Sequence, residues 1–196
     1  EAALDPLARY AARVRAWNEK VNLGSARAAQ DLTEVLFCDA RVLADADLVP
    51  PGSHVLDVGA GAGAPILPLL VLRPDLRATC VEPRQKRAAF LRNAAQRLEL
   101  GARVAVVGRR LDPATPVCEG GPFDLALSRA TWAPATWLPI GARLAPGVLV
   151  MTAREEPPDA PAGLRVVAHA SYQVPSSGAA RRITAYAATT RSADAT

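Results

Sequence analysis

The stretch LDVGAGAGAP at residues 56–65 has the composition of a ligand-binding turn. A short apolar run is followed by three glycines at alternate positions, Gly59, Gly61 and Gly63. Glycine permits positive φ and lets a ligand approach the backbone closely. Pro65 suits the first position of a following helix, because that position needs no backbone N–H donor. The stretch therefore predicts a strand, a bare turn and a helix, with a ligand lying against the turn.

Several ligand classes compete for this turn. A P-loop is excluded, because no GK[ST] follows the glycines. A dinucleotide remains an alternative, since Gly59-x-Gly61-x-x-Ala64 satisfies the relaxed fingerprint and Glu82 follows at the end of the next predicted strand. Asp57 favours S-adenosylmethionine, because a carboxylate there can hold the turn and attract a methionine ammonium group, whereas a pyrophosphate gains nothing from it. S-adenosylmethionine is the favoured ligand, and a dinucleotide or plain helix packing stays open.

Two residues after the second predicted strand suit the nucleoside part of such a ligand. The carboxylate of Glu82 can accept hydrogen bonds from both hydroxyls of a ribose. Pro83 offers an apolar face for adenine. A solvated acid at a strand end is the alternative interpretation of Glu82.

The elements that position these residues follow from hydrophobic periodicity. Residues 3–21 and 29–46 are predicted to form amphipathic helices. Beyond them, short β-rich runs alternate with helical segments, which is typical of βαβ units and a parallel sheet. The predicted strands are 54–58, 77–82, 103–107, 123–128 and 147–153, with predicted helices at 65–72, 84–99 and 134–144.

The last part of the chain has a different pattern. Residues 164–174 and 182–190 are strand-like, with a PSSG turn between them, and are predicted to pair as an antiparallel hairpin at the sheet edge. Such a hairpin is the usual ending of class I methyltransferases. We expect a helical extension at 1–50, packed on an α/β core at 51–190, and a disordered tail at 191–196.

Charge is unevenly distributed along the chain. Residues 51–110 carry ten basic and four acidic side chains, whereas residues 1–50 carry six and eight. A basic segment beside the glycine turn suits a phosphate-rich partner such as nucleic acid. A general compositional bias toward arginine is the alternative explanation.

Other features restrict the class of protein. The three cysteines are far apart and form no CxxC, so we expect no metal site and a reducing cytoplasm. The start of the sequence lacks the pattern of a secretory signal, and no apolar run is long enough to span a membrane. A cytoplasmic protein without membrane contact is therefore expected.

Five segments in fixed order carry a resemblance to a known family. They are WNEKVNL (17–23), LDVGAGAGAP (56–65), RPDL (73–76), E-x-x-x-KR-x-x-FLR (82–92) and FDLALSRA (123–130). Together they resemble the bacterial guanine-N7 methyltransferases of small-subunit ribosomal RNA, the glucose-inhibited division protein B group. The similarity covers about residues 9 to 188. The glycine element alone marks only the superfamily, whereas WN-x-x-x-NL combined with SRA is more specific.

The resemblance implies a fold, a donor and an acceptor. The fold is the class I, Rossmann-like α/β fold, with a mostly parallel seven-stranded sheet, helices on both faces, two N-terminal helices and a C-terminal antiparallel hairpin. The donor is S-adenosylmethionine, and the acceptor is a flipped or unpaired guanine of rRNA. Guanine N7 has a lone pair and no proton to lose, so catalysis consists mostly of positioning and needs no general base. We expect a monomer.

The candidate site residues combine the motif and the resemblance. The family's cofactor contacts fall on Gly59, Ala64, Arg110, Leu111 and Arg129. The guanidinium of Arg129 is expected to position substrate or cofactor by bonding a guanine edge or a phosphate, with a surface ion pair as the alternative. The full set of cofactor candidates is Asp57, Gly59, Ala60, Gly61, Gly63, Ala64, Glu82, Pro83, Arg110, Leu111 and Arg129.

Basic side chains supply candidates for RNA contact. Arg84, Lys86 and Arg87 open a predicted helix, where the helix dipole disfavours cations, and breaking a local rule can signal function. Solvated surface residues are the alternative interpretation. The full set of RNA-binding candidates is Arg84, Lys86, Arg87, Arg154, Arg181 and Arg182.

The chain departs from the family pattern mainly on the acceptor side. Leu36 stands where relatives usually carry a histidine, and SRA is followed by Thr131 and Trp132. A paralogue that acts on another RNA site, or on a small molecule in an enclosed apolar pocket near Trp132 and Trp137, is therefore an alternative. A non-catalytic protein that binds S-adenosylmethionine or RNA as a regulator is a further one.

Overall fold

A computed structural model describes residues 4–21, 29–153 and 155–189. Five helices and seven strands lie within these ranges, in the order that hydrophobic periodicity predicts. They are α1 (Leu4–Val21), α2 (Ala29–Asp45), β1 (His54–Val58), α3 (Ile66–Leu72), β2 (Arg77–Val81), α4 (Gln85–Arg97), β3 (Val104–Val107), β4 (Leu125–Leu127), α5 (Pro134–Gly141), β5 (Gly147–Thr152), β6 (Leu164–Gln173) and β7 (Ala180–Ala188).

The strands form one sheet in the order β3-β2-β1-β4-β5-β7-β6. The first five in this order pair in parallel, and β7 pairs antiparallel with both β5 and β6. The predicted mostly parallel sheet and terminal hairpin are thus confirmed. The strand order reverses between β1 and β4, and ligands of open α/β sheets bind beside such a switch point. The carboxyl ends of β1, β2 and β4 therefore define where a site is expected.

Two hydrophobic clusters cover the two faces of the sheet, because successive strand side chains point to opposite sides. Val55 and Leu127 face the cluster that packs under α1 to α4. Leu56 and Val148 face the other cluster, which contains Trp137 of α5. The predicted placement of helices on both faces is confirmed.

The two N-terminal helices share the first of these clusters. Trp17 of α1 packs on Phe90 of α4, with ring centroids 5.3 Å apart. Tyr10 meets Phe37 of α2 edge-on, with centroids 6.3 Å apart. Helix α1 is therefore anchored on α4, while the division of the chain into an extension and a core at residue 50 stays a prediction.

Element ends differ from the predictions by a few residues. Strand β4 begins at Leu125 rather than 123, and the Asp124 carboxylate just before it accepts the His54 backbone N–H at 2.7 Å. Helix α5 ends at Gly141 rather than 144, after Pro139 in its interior has removed one backbone donor.

Three of the sequence predictions lie outside the described residues: the expected tail at 191–196, the NL of the WNEKVNL segment and Arg154. Within the described part of the chain, no helix combines the length and apolar character needed to cross a membrane.

Candidate active site

The glycine turn leaves the carboxyl end of β1 in a left-handed conformation. Gly59, Gly61 and Gly63 have φ of 82°, 58° and 89°, so the predicted positive φ at Gly59 and Gly61 is confirmed. The Gly59 N–H donates to the Val81 carbonyl at 2.8 Å, which ties the turn to the end of β2. The turn is thus held at the switch point of the sheet.

The three glycines have different surroundings. A Cβ atom at Gly59 would lie 2.1 Å from Thr131 Oγ1, and one at Gly63 would lie 2.7 Å from two atoms of Leu67. A Cβ atom at Gly61 would meet nothing closer than 3.8 Å. Two glycines therefore allow close packing within the protein, and Gly61 has open space in front of it.

Glu82 holds the turn from the end of β2. Its Oε2 accepts the Gly61 N–H at 3.0 Å, and its Oε1 accepts the Arg84 N–H at 2.9 Å. The side chain itself is buried. Each carboxylate oxygen can accept a further hydrogen bond. The sequence assigned the holding of the turn to Asp57, whereas the carboxylate that accepts a hydrogen bond from the turn is that of Glu82.

Asp57 lies in β1 on the face that α1 covers and is 1% exposed. Its Oδ2 has no hydrogen-bond partner among the residues that the structure describes. Burial raises the pKa of Asp57 to about 8, with the Arg129 charge opposing this shift and the Glu82 charge adding to it. At neutral pH Asp57 therefore keeps its proton for most of the time, and a cation bound beside it would lower this pKa and favour the carboxylate form.

Tyr10 supports the turn from α1. Its hydroxyl donates to the Ala62 carbonyl at 2.7 Å, within the glycine turn. Burial raises the pKa of Tyr10 well above its usual range, so the hydroxyl remains a donor at neutral pH. In the sequence, Tyr10 only occupies an apolar position of the predicted helix 3–21, because a partner 52 residues away leaves no local signal.

A loop after β4 is fastened to the end of β1. Ser128 Oγ and Thr131 Oγ1 both donate to the Val58 carbonyl, at 2.7 and 3.3 Å. Between them Ala130 has a φ of 57°, a conformation that costs an alanine roughly 1 kcal/mol. These bonds place the SRA segment directly against the glycine turn.

Arg129, in the same loop, pairs with Asp39 of α2. Its Nη1 lies 3.0 Å from Asp39 Oδ2, and the two side chains are 26% and 15% exposed. The Tyr172 hydroxyl of β6 donates to the other oxygen of Asp39. The ion pair that was the alternative reading of Arg129 is therefore observed, but it is partly buried and joins three elements. Asp39 and Tyr172 were not singled out from the sequence.

A cleft of about 1460 Å³ opens beside this loop. It lies between α2, the loop after β4, the end of β5 and the β6–β7 hairpin. Its charged lining residues are Glu34, Asp39, Glu155, Glu156, Arg129, Arg181 and Arg182. The enclosed apolar pocket expected for a small-molecule acceptor is not what surrounds Trp132 and Trp137.

The remaining candidates lie at several places around the sheet edge. Pro83 follows Glu82 and is half-buried, and Arg110 is exposed beyond the end of β3. Leu111 is buried in the second hydrophobic cluster. Ala60 and Ala64 belong to the glycine turn, with Ala60 buried and Ala64 half-buried.

The basic candidates for RNA contact form two separate groups. Arg84 and Lys86 are exposed at the start of α4, with Arg87 half-buried beside them. Arg181 and Arg182 lie on β7, near the opposite edge of the sheet, and Arg182 pairs with Glu156 at 2.6 Å. The structure therefore does not bring all of the basic candidates together.

The antiparallel β7 between β5 and β6, together with the glycine turn at the switch point and the acid at the end of β2, is the architecture of a class I S-adenosylmethionine-dependent methyltransferase. Solved structures with the same fold include the cofactor-bound protein Rv0187 from MTB, with a TM-score of 0.59 and 18% identity. That alignment covers 94% of this chain and 89% of that one. A methyltransferase from Geobacter sulfurreducens in complex with S-adenosyl-L-homocysteine has a TM-score of 0.57 at 14% identity, over 80% and 92% of the two chains. At these identities the likeness concerns the fold.

Residues 3–145 match the family described as rRNA small subunit methyltransferase G, or GidB, and the chain belongs to this family. A relative named ribosomal RNA small subunit methyltransferase G from Anaeromyxobacter dehalogenans strain 2CP-1 is 38% identical over 193 residues. That alignment covers 93% of this chain and 87% of the relative. One of the same name from Anaeromyxobacter sp. strain Fw109-5 is 35% identical, over 92% and 86% of the two chains.

Proposed function

We propose that this chain transfers the methyl group of S-adenosylmethionine to N7 of a guanine in small-subunit ribosomal RNA. The observation that carries the proposal is the pair of hydrogen bonds that Ser128 and Thr131 donate to the Val58 carbonyl. Through it, the glycine turn and the cleft share one wall, so a donor on the turn would face an acceptor in the cleft. The relatives named as rRNA methyltransferases support RNA as that acceptor.

The glycine turn and its neighbours fit the donor. The open space at Gly61 would admit the ligand, and Glu82 has acceptor capacity left for ribose hydroxyls. The buried Oδ2 of Asp57 has no partner, and a methionine ammonium group bound beside it would supply one and favour the ionised form of Asp57. When bound, the donor supplies an electrophilic methyl group. By the family resemblance, Arg110 and Leu111 would line the same site.

The described residues would act mainly by positioning. Guanine N7 carries a lone pair and no proton, so no general base is needed, and holding it in line with the methyl group supplies much of the rate. Arg129 lies between turn and cleft and is held by Asp39. Its guanidinium has five N–H donors, so it can bond a guanine edge or a phosphate while it keeps its ion pair.

The size of the cleft favours a macromolecular acceptor over a small one. Small-molecule pockets usually enclose about 300 to 1,000 Å³ and are mostly apolar. The cleft is larger, about 1460 Å³, and its lining includes both carboxylates and guanidinium groups. We also infer that the chain acts in the cytoplasm, as a monomer and without a metal. The basic start of α4 would contact RNA phosphates.

The test is transfer of a labelled methyl group from S-adenosylmethionine to 30S subunits from cells that lack the gene. We expect label in one N7-methylguanosine, identified by mass spectrometry of the rRNA nucleosides, and none in 50S subunits. RNA affinity should fall steeply with salt, and K86A should lower the salt slope by about 1. Absence of transfer to any RNA would disprove the proposal, whereas label at another atom or base would disprove the N7 assignment alone.

A further inference from the structure

The cleft contains a stacked pair of indole rings, Trp132 and Trp137. Their centroids lie 5.7 Å apart, and their planes differ by 7°. The other aromatic pairs within the described residues are tilted or edge-on. A parallel pair at the wall of a cleft resembles the start of a stack that a further flat ring would extend.

Trp137 is the fixed member of the pair. It is 2% exposed, and its Nε1 donates to the Leu149 carbonyl at 2.9 Å. The backbone of Gly141 lies against its ring, where an added Cβ atom would be 3.1 Å from Trp137 Cζ2. The plane of the Trp137 indole is therefore set by the protein, and Trp132 stacks on it.

Trp132 is half-buried and lines the cleft. Its ring runs parallel to that of Trp137 and is only partly buried, so part of the ring is left for a further contact. The residue before it, Thr131, bonds the Val58 carbonyl and lies against Gly59. The ring is thus anchored within one residue of the contact between the acceptor loop and the donor turn.

We propose that Trp132 is the stacking platform for the acceptor base, a purine of an unpaired or flipped RNA nucleotide. This inference rests on the proposed function and adds the residue that orients the base. An unpaired base loses the stacking of its own strand, and an aromatic side chain replaces it. A ring already held parallel to Trp137 has little orientational freedom to lose when a base is added.

The inference is tested with one variant that removes the aromatic ring and one that keeps an aromatic ring. W132L should lower kcat/KM for methyl transfer to 30S subunits about 10- to 100-fold, whereas W132F, which keeps a flat ring, should stay within about threefold of the unchanged chain. The affinity for S-adenosylmethionine, measured by calorimetry, should be the same in both variants. W17F is the matched control, since Trp17 packs on Phe90 away from the cleft, and it should leave kcat/KM unchanged.

Two results of the activity assay would overturn the inference. Either W132L is as active as the unchanged chain, or W132F is as impaired as W132L, which would show that packing rather than stacking matters.

If W132L fails to fold, tryptophan fluorescence is the second measurement. Protein-free small-subunit rRNA should quench the tryptophan emission of W17F more than that of the W17F/W132F double variant. Equal quenching at equal RNA binding would also overturn the inference. If the unchanged chain methylates no RNA, the proposed function fails first, and the two failures are distinguishable.

Discussion

The Tyr10 hydroxyl donates a hydrogen bond of 2.7 Å to the Ala62 carbonyl, across 52 positions of the chain. A residue of the first N-terminal helix therefore holds the glycine turn. Glu82 holds the turn as well, because it accepts the Gly61 N–H. The shape of the candidate donor site thus depends on α1 as well as on the sheet.

Replacing Tyr10 with phenylalanine should weaken both the fold and the site. The Ala62 carbonyl would lose its partner, which costs about 1 to 2 kcal/mol of the free energy of unfolding. The affinity for S-adenosylmethionine should fall as well, because the turn loses a support. Tyr186→Phe is the control: its hydroxyl bonds the Pro158 carbonyl at 2.6 Å away from the turn. Urea unfolding and calorimetry should give a stability loss in both variants and an affinity loss only in Tyr10→Phe; equal affinities would contradict the role of Tyr10.

Two glycine substitutions should separate packing from ligand access. Gly63→Ala forces a methyl group to within 2.7 Å of Leu67 and keeps a φ of 89°, so we expect about 2 to 4 kcal/mol less stability. Gly61→Ala faces open space and should cost only about 1 to 2 kcal/mol. It should nevertheless weaken S-adenosylmethionine binding, because its methyl group occupies ligand space. Normal binding by a folded Gly61→Ala chain would show that the ligand does not approach there.

Asp57 should make stability depend on pH. Burial raises its pKa to about 8, so the folded chain keeps a proton that the unfolded chain releases near pH 4. The folded state then binds more protons between these values, and the free energy of unfolding should decrease as pH rises from about 4 to about 8, by at most about 1.4 kcal/mol per pH unit. Asp57→Asn cannot titrate, so the difference between the two chains in urea unfolding should vary across pH 5 to 8. Parallel curves would mean that Asp57 is already ionised in the folded state.

Asp39 should matter for turnover more than for donor binding. Asp39→Asn removes the charge that holds Arg129, and misplacement of a positioning group commonly costs about 10-fold or more in rate. Asp45→Asn, on the same helix, is the control, because its pair with Arg41 is largely exposed. Single-turnover methylation should slow in Asp39→Asn and stay unchanged in Asp45→Asn, with equal affinity for S-adenosylmethionine in both. A loss of affinity instead of rate would assign Asp39 to the donor site.

Patterns that are local in the sequence predicted much of this molecule. Alternation of β-rich runs with helical periodicity predicted all seven strands, the parallel core of the sheet and the terminal hairpin. The spacing of Gly59 and Gly61 predicted a turn with positive φ, and the structure has it. Such features need only the geometry of a few consecutive residues, which the sequence shows directly.

Contacts between distant segments were decided by the tertiary structure alone. Hydrophobic spacing placed Tyr10 on an apolar helix face, but only packing brings its hydroxyl to Ala62. In the same way, the fold unites Asp39, Arg129 and Tyr172, which lie in a helix, a loop and an edge strand. Periodicity records which side of an element is buried and not what it is buried against. The sequence by itself therefore determined the sheet and its glycine turn, and the fold decided which side chains hold that turn and face the cleft.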